Sequence, residues 1–342
     1  MKLKHLLFLP ILVLFSFLLN GQSDKIFGLN FANSELRFTT MDINTGAIEI
    51  LSPNPLSPDI FQQGVSDFDP IEKRYFYTRG SGNGQQIFTV DALTGLTISS
   101  PSMTVDNDPG DNTVSAITNI AFNWLDGELY GMNYQYDGSE KLRLAKVDLE
   151  TGEVSLISEN PVSTIPFMPG NSDIDPVNRR YFYATPDKIF TVDLDNGEAI
   201  YNTTINYPMT GTQYTANLTY DWQNDIVYCL HFLSVPNPDP FSNDFTSELR
   251  LSTINPETGE MLLISDDITS NDGFSMGDCD IDPSGNRYFY IRQNELYVVN
   301  LSDGTVINQI PIDNQNNAVA PIINMSYDDL TQPPALPIVM DM

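Results

Sequence analysis

Three times along the chain an Asp-x-Asp-Pro turn runs into Arg-Tyr-Phe-Tyr: Asp67 to Tyr77, Asp173 to Tyr183 and Asp280 to Tyr290. Counted at the second Asp, from Asp69 to Asp175 to Asp282, the copies stand 106 and then 107 residues apart. So even a spacing marks duplicated units, not one irregular core. A second motif alternates with the first. Asn119-Ile-Ala-Phe-Asn-Trp returns as Asn217-Leu-Thr-Tyr-Asp-Trp and again as Asn324-Met-Ser-Tyr-Asp-Asp.

Turn chemistry fixes the count. Thr45-Gly46, Thr94-Gly95, Thr151-Gly152, Asn196-Gly197, Thr258-Gly259 and Asp303-Gly304 each sit between two β-rich runs. Glycine there supplies the positive φ of a tight hairpin. Asp-Pro upstream combines an Asx-type turn with a preset φ. Six units of about fifty residues result, each readable as four short antiparallel strands.

Four-stranded sheets at this period predict an all-β chain, a six-bladed β-propeller whose blades bury their faces by stacking around an axis. The chain ends fit it. Asn324 to Asp328 matches only an innermost strand, and Lys25 to Phe31 matches the second strand of the same unit. The ring is therefore expected to close by pairing the C-terminal strand with the N-terminal blade. Three regions follow: a signal peptide over 1–21, the propeller over 22–330 and a short tail over 331–342.

The leader assignment rests on Lys2 and Lys4 ahead of an apolar run from Leu6 to Leu19, with Gly21 small enough for cleavage. Pro10 interrupts that run, which falls short of the roughly 18 to 20 residues that span a bilayer. Removal of the leader takes the net charge from −29 to −31. Such a polyanion repels phosphate backbones, which argues against nucleic acid and anionic lipid and leaves cations or a basic protein as partners. Only Cys229 and Cys279 are present, so no disulfide framework holds the fold, and one bridge or two free thiols both remain open. Without His5 of the leader, His231 is the sole histidine, too few for a three-histidine zinc site.

Candidate chemistry gathers at the axis. Strand alternation sets Asp67, Asp173 and Asp280 on the face opposite Phe68, Ile174 and Ile281, so that three acids recur in every second blade. Asn119, Asn217 and Asn324 stand one pleat earlier in the sister blades and add carbonyl oxygens. An oxygen-rich ring of this kind suits calcium, a hard cation. The other use of an inner-strand Asp is to bond the backbone of the next blade. Asp106, Asp108 and Asp111, in the inserted loop from Ser102 to Ser115, form a second oxygen-rich cluster, without the twelve-residue spacing of an EF-hand. A second insertion, from Ser234 to Ser247, carries Pro236, Pro238, Pro240 and Phe241. The Glu35/Arg37, Glu248/Arg250 and Glu140/Arg143 pairs, with Arg74, Arg180 and Arg287, are expected to bond between blades. The tyrosines of the first motif are expected to fill the wedges between blades.

Over residues 25 to 329 the chain resembles six-bladed propellers of the secreted NHL-like, SMP-30-like and YVTN-like kinds, and its leader resembles those of exported Bacteroidetes-type proteins. This implies export to the periplasm or beyond, with two kinds of function. One is a non-enzymatic propeller that needs no cofactor and binds a protein or cell-surface partner through loops on one face, as in docking with an outer-membrane export channel. The other is a calcium-dependent hydrolase, lactonase or lyase with an axial acidic site. The early Glu-Gly-Pro segment of the lactonases is missing, and no Gly-x-Ser-x-Gly elbow is present.

Overall fold

Each hairpin turn closes on a side chain that the sequence repeats. Asp42, Asp91, Asp148, Asp193 and Asn255 each accept, through Oδ1, the amides two and three residues on, as in Asp91 with Leu93 (2.9 Å) and Thr94 (2.8 Å). The glycine that follows adopts φ between 67° and 77° in all six turns. It has a second reason to lack a side chain: a Cβ on Gly259 would lie 2.0 Å from the Thr204 carbonyl oxygen of the preceding blade. The Asp-Pro turns use the same device, with Asp69 Oδ1 accepting from the Ile71 and Glu72 amides and Asp175 Oδ1 from those of Val177 and Asn178.

The computed structural model describes residues 24–328 apart from 57–60, 81–83, 106–113, 137–139, 165–169, 237–244, 267–268, 271–277, 293, 314–317 and 319. The expected leader, the tail, and Asp106, Asp108 and Asp111 lie outside the described residues. Within them the strands assemble into six antiparallel sheets of four consecutive strands. Blade 1 joins Ala320–Tyr327 to Lys25–Ala32, Glu35–Asp42 and Ile48–Ile50, which is the split closure expected from the chain ends. Blades 2 to 6 occupy residues 61–99, 114–156, 172–204, 212–263 and 279–311. Thr104–Val105 adds a short parallel strand to blade 3, and Thr269–Ser270 a further pairing in blade 5. The six innermost strands touch one another in a closed ring, making the chain a six-bladed β-propeller.

Its core is six separate wedges, one between each pair of neighbouring blades. Alternation in Arg-Tyr-Phe-Tyr supplies two wedges from one strand. Tyr75 and Tyr77 pack towards blade 1 while Phe76 packs towards blade 3, and the copies at Tyr181 to Tyr183 and Tyr288 to Tyr290 do the same in their own neighbourhoods. All six tyrosines are fully buried, as expected of wedge residues.

The strand directions separate two faces of the disc. Short turns, including Pro70–Lys73, Trp124–Gly127 and Trp222–Asp225, lie on one, here the turn face. The opposite ends of the same strands, where Val114–Asn123 begins and Ile226–Pro236 ends, open onto the loop face. Both inserted loops thus attach to the loop face.

Candidate functional site

The three axial acids come together, and each is tied into the ring. Asp67, Asp173 and Asp280 all line both of two chambers, each of about 70 Å³, that meet end to end along the axis, so the acids form the waist of the channel. At each acid Oδ1 accepts the next residue's amide: Phe68 (2.8 Å), Ile174 (2.7 Å) and Ile281 (2.7 Å). Oδ2 reaches into the following blade, to the amides of Phe122, Tyr220 (2.6 Å) and Tyr327 (2.5 Å). Thr219 adds a hydroxyl to Asp173 at 3.0 Å. The blade-to-blade use of these aspartates is therefore realised. Asp173 touches the channel along one edge but is otherwise enclosed, and this desolvation, outweighing its hydrogen bonds, pushes its pKa up to about 6.

Asn119, Asn217 and Asn324 are completely buried and line neither chamber. Each takes a left-handed φ, between 51° and 53°, at a bulge in the innermost strand. The bulge takes the Asn carbonyl out of the regular ladder and offers it to the following blade. There the first tyrosine of the repeat donates its hydroxyl: Tyr75 to Asn324 (2.5 Å), Tyr181 to Asn119 and Tyr288 to Asn217 (2.6 Å). Burial holds the pKa values of these tyrosines above the usual range. Every even-numbered blade thus binds backwards through Tyr and forwards through Asp.

Arg74, Arg180 and Arg287 each place Nε and Nη2 on the second Asp of their own motif, at 2.5 to 2.9 Å. Their guanidinium groups also lie 5.8 to 5.9 Å from ring centres of the next blade, Phe122, Tyr220 and Tyr327. Glu35 and Glu248 pair with Arg37 and Arg250 within their strands, whereas in blade 3 Arg143 donates to Gln135 instead of Glu140.

His231 does stand where the sister blades hold Asn30 and Asn133, each facing an arginine across the strand pair. It is fully buried, with Nε2 at 2.8 Å from Gln213 Oε1 and its ring stacked on Tyr207. Burial, with Arg250 adding to it, pulls its pKa down to about 4. The two cysteines are free thiols, both pushed upward by burial, so neither is a thiolate nucleophile at neutral pH.

Sequence reasoning gave no role to Trp124 and Trp222, although they are the protein's only tryptophans and hold the same place in the repeat. Both line the chamber on the turn face, with ring centres 5.8 Å apart and planes at 69°. Phe68, Phe122, Tyr220 and Tyr327 complete its aromatic wall. The loop-side chamber is walled by Ser66, Ser172, Cys279 and Met325 among others. A wider cavity of about 390 Å³ lies off-axis between blades 4 and 5, with Arg180, Tyr201, Asp225 and Glu260 in its wall.

No protein-family model matches this chain, and no curated protein matches it. Solved structures do. A Bacteroides caccae protein of unknown function shares 12% identity and a TM-score of 0.51, covering 89% of this chain and 98% of that one. TolB from Acinetobacter baumannii shares 14% identity and a TM-score of 0.50 over 83% of this chain. That match takes in 63% of TolB, so this chain spans less than two thirds of its length. A periplasmic gluconolactonase from Pseudomonas aeruginosa is similar at 12% identity and a TM-score of 0.46. At these identities the first two show a shared propeller fold.

Proposed function

We propose that this chain is an exported, non-catalytic propeller that binds a protein or cell-surface partner through its loop face. The observation that carries the reading is the consumption of the repeat's polar residues by the ring itself. Asp67, Asp173 and Asp280 bond the next blade's backbone, the second Asp of each motif holds an arginine, and His231 is buried on Gln213. Specificity then falls to the departures from the repeat, and the insertions at 102–115 and 234–247 attach to the same face. Loops on a rigid scaffold are natural contact sites. Docking with an outer-membrane export channel is the finer version. Deleting residues 236–243 is expected to leave the fold intact, by circular dichroism, and to abolish capture of the partner from an outer-membrane fraction. Undiminished capture would remove that loop from the reading.

A calcium-dependent hydrolase is the second reading, favoured by the shared chamber of three acids and by Asp173, whose raised pKa suits a general base. Calcium would take carboxylate oxygens from Asp67, Asp173 and Asp280. Against it, among the described residues no three His, Cys, Asp or Glu side chains converge closely enough to hold one ion. Metal analysis of protein purified in millimolar calcium decides the matter, and bound calcium lost in Asp173→Asn would favour this second reading.

A further inference from the structure

The turn-side chamber joins the axial acids to an aromatic wall that neither reading uses. Its floor is the three axial carboxylates, and its walls include the only two indoles of the protein. Among the described residues its wall contains no lysine or arginine. The basic side chains around it are already engaged: Arg74, Arg180 and Arg287, which lie 5.8 to 5.9 Å from the ring centres of Phe122, Tyr220 and Tyr327, by the second Asp of their own motifs, Lys73 by Asp328 at 2.6 Å, and Arg179 by Asp126 and Asp195 at 2.8 and 2.7 Å. Carboxylates below and aromatic rings around are the two groups that attract a delocalised or alkylated cation, one by charge and the other through the ring quadrupole.

We propose that this chamber receives a cationic side-chain tip, an arginine guanidinium or a lysine ammonium, presented by a partner polypeptide. About 70 Å³ holds a few waters' worth of ligand, enough for such a tip but not for a whole small molecule. The rim explains the rest of the ligand. Ile71, Leu125 and Val177, which directly follow the lining residues Pro70, Trp124 and Pro176, are 51%, 37% and 54% exposed. This apolar arc extends over blades 2 to 4, whereas Ser284 and Asp328 make the side of blades 6 and 1 polar. A residue flanking the cation would rest on the arc. The protein's net charge of −29 draws a basic partner to either face, and the chamber fixes where its cation goes.

The two tryptophans make the test direct. Titration of the exported chain with a capped Ala-Arg-Ala peptide, followed by intrinsic fluorescence and calorimetry, is expected to give a saturable change. The same peptide with citrulline, which keeps the shape and loses the charge, is expected to give none. Trp222→Ala and Asp173→Asn should each weaken binding by roughly tenfold or more, while deletion of 236–243, on the other face, should leave it unchanged. That last comparison separates this site from the loop-face reading. Equal response to citrulline, or no saturable change up to roughly 10 mM peptide, overturns the proposal. So does a response to calcium alone, which would make the chamber a metal site. A response that emerges only after residues 331–342 are removed would make the tail the occupant, and would overturn it too.

Discussion

Tyr288 illustrates how much one hydroxyl carries in this ring. It donates at 2.6 Å to the Asn217 carbonyl inside a wedge from which water is excluded. Tyr288→Phe keeps the packing and removes that donor, so it is expected to cost about 1–3 kcal/mol, the penalty of a buried acceptor deprived of its bond. Urea unfolding of the variant measures it. His231 sets a pH dependence. Its folded pKa of about 4 lies below the unfolded value of 6.5, so the fold favours the neutral ring. The associated stability is complete above pH 6.5 and is lost as pH falls towards 4, a total of roughly 3 kcal/mol. Asp173 runs the other way: its folded value is raised, so its contribution is complete below about pH 3.8 and is lost as pH rises through 6. Because the two windows overlap, the clean measurement is a difference. His231→Asn, the residue of the sister blades, is expected to lose less stability than the parent between pH 7 and pH 5 in parallel urea titrations.

At the scale of the strand, the bulge at Asn119, Asn217 and Asn324 is the element that couples blades. Asn is among the residues that tolerate φ near 53°, and a β-branched side chain is not. Asn217→Val is therefore expected to lower the thermal midpoint by several degrees, about 1–2 kcal/mol, and Asn217→Gly to change it far less, both read by calorimetry. The residue facing each bulge is Gly28, Gly131 or Cys229. A Cβ on Gly131 would stand 2.9 Å from Ile117 Cγ2, so blade 3 has closed around the gap that blade 5 fills with a thiol. Much of this level was legible in the sequence. The six turn glycines, the Asx turns of Asp69 and Asp175, and the Tyr and Phe wedges all follow from local spacing, because a hairpin closes on residues a few positions apart. The Asn positions were legible as a repeat, but not as bulges: the sequence suggested side-chain carbonyls turned to the axis, and the structure uses the backbone carbonyl turned to a tyrosine. Nor does local spacing show that Asp67 reaches the amide of Phe122, since that contact depends on how neighbouring blades are staggered. The pairing of Trp124 with Trp222 escaped for the same reason, being made across an intervening blade.

The whole molecule depends on its split blade. Ala320–Tyr327 supplies the innermost strand of blade 1, the Asn324 carbonyl for Tyr75 and the Tyr327 amide for Asp280. Truncation before Ala320 removes both staples together with a sheet edge, so it is expected to replace one cooperative unfolding transition by early, broad melting and to expose blades 1 and 6 to protease. Truncation after residue 330 is expected to leave the transition as it was. Limited proteolysis with calorimetry distinguishes the two outcomes. There is also a consequence in time. A chain that emerges amino end first has five complete blades and part of a sixth before its final strand arrives, and until then it is an arc with two raw edges. Asp67, Asp173 and Asp280 cannot surround a common axis in that arc. The acidic waist, with whatever it holds, comes into being only when the last strand is delivered, which makes an unfinished or clipped molecule chemically blank at its centre.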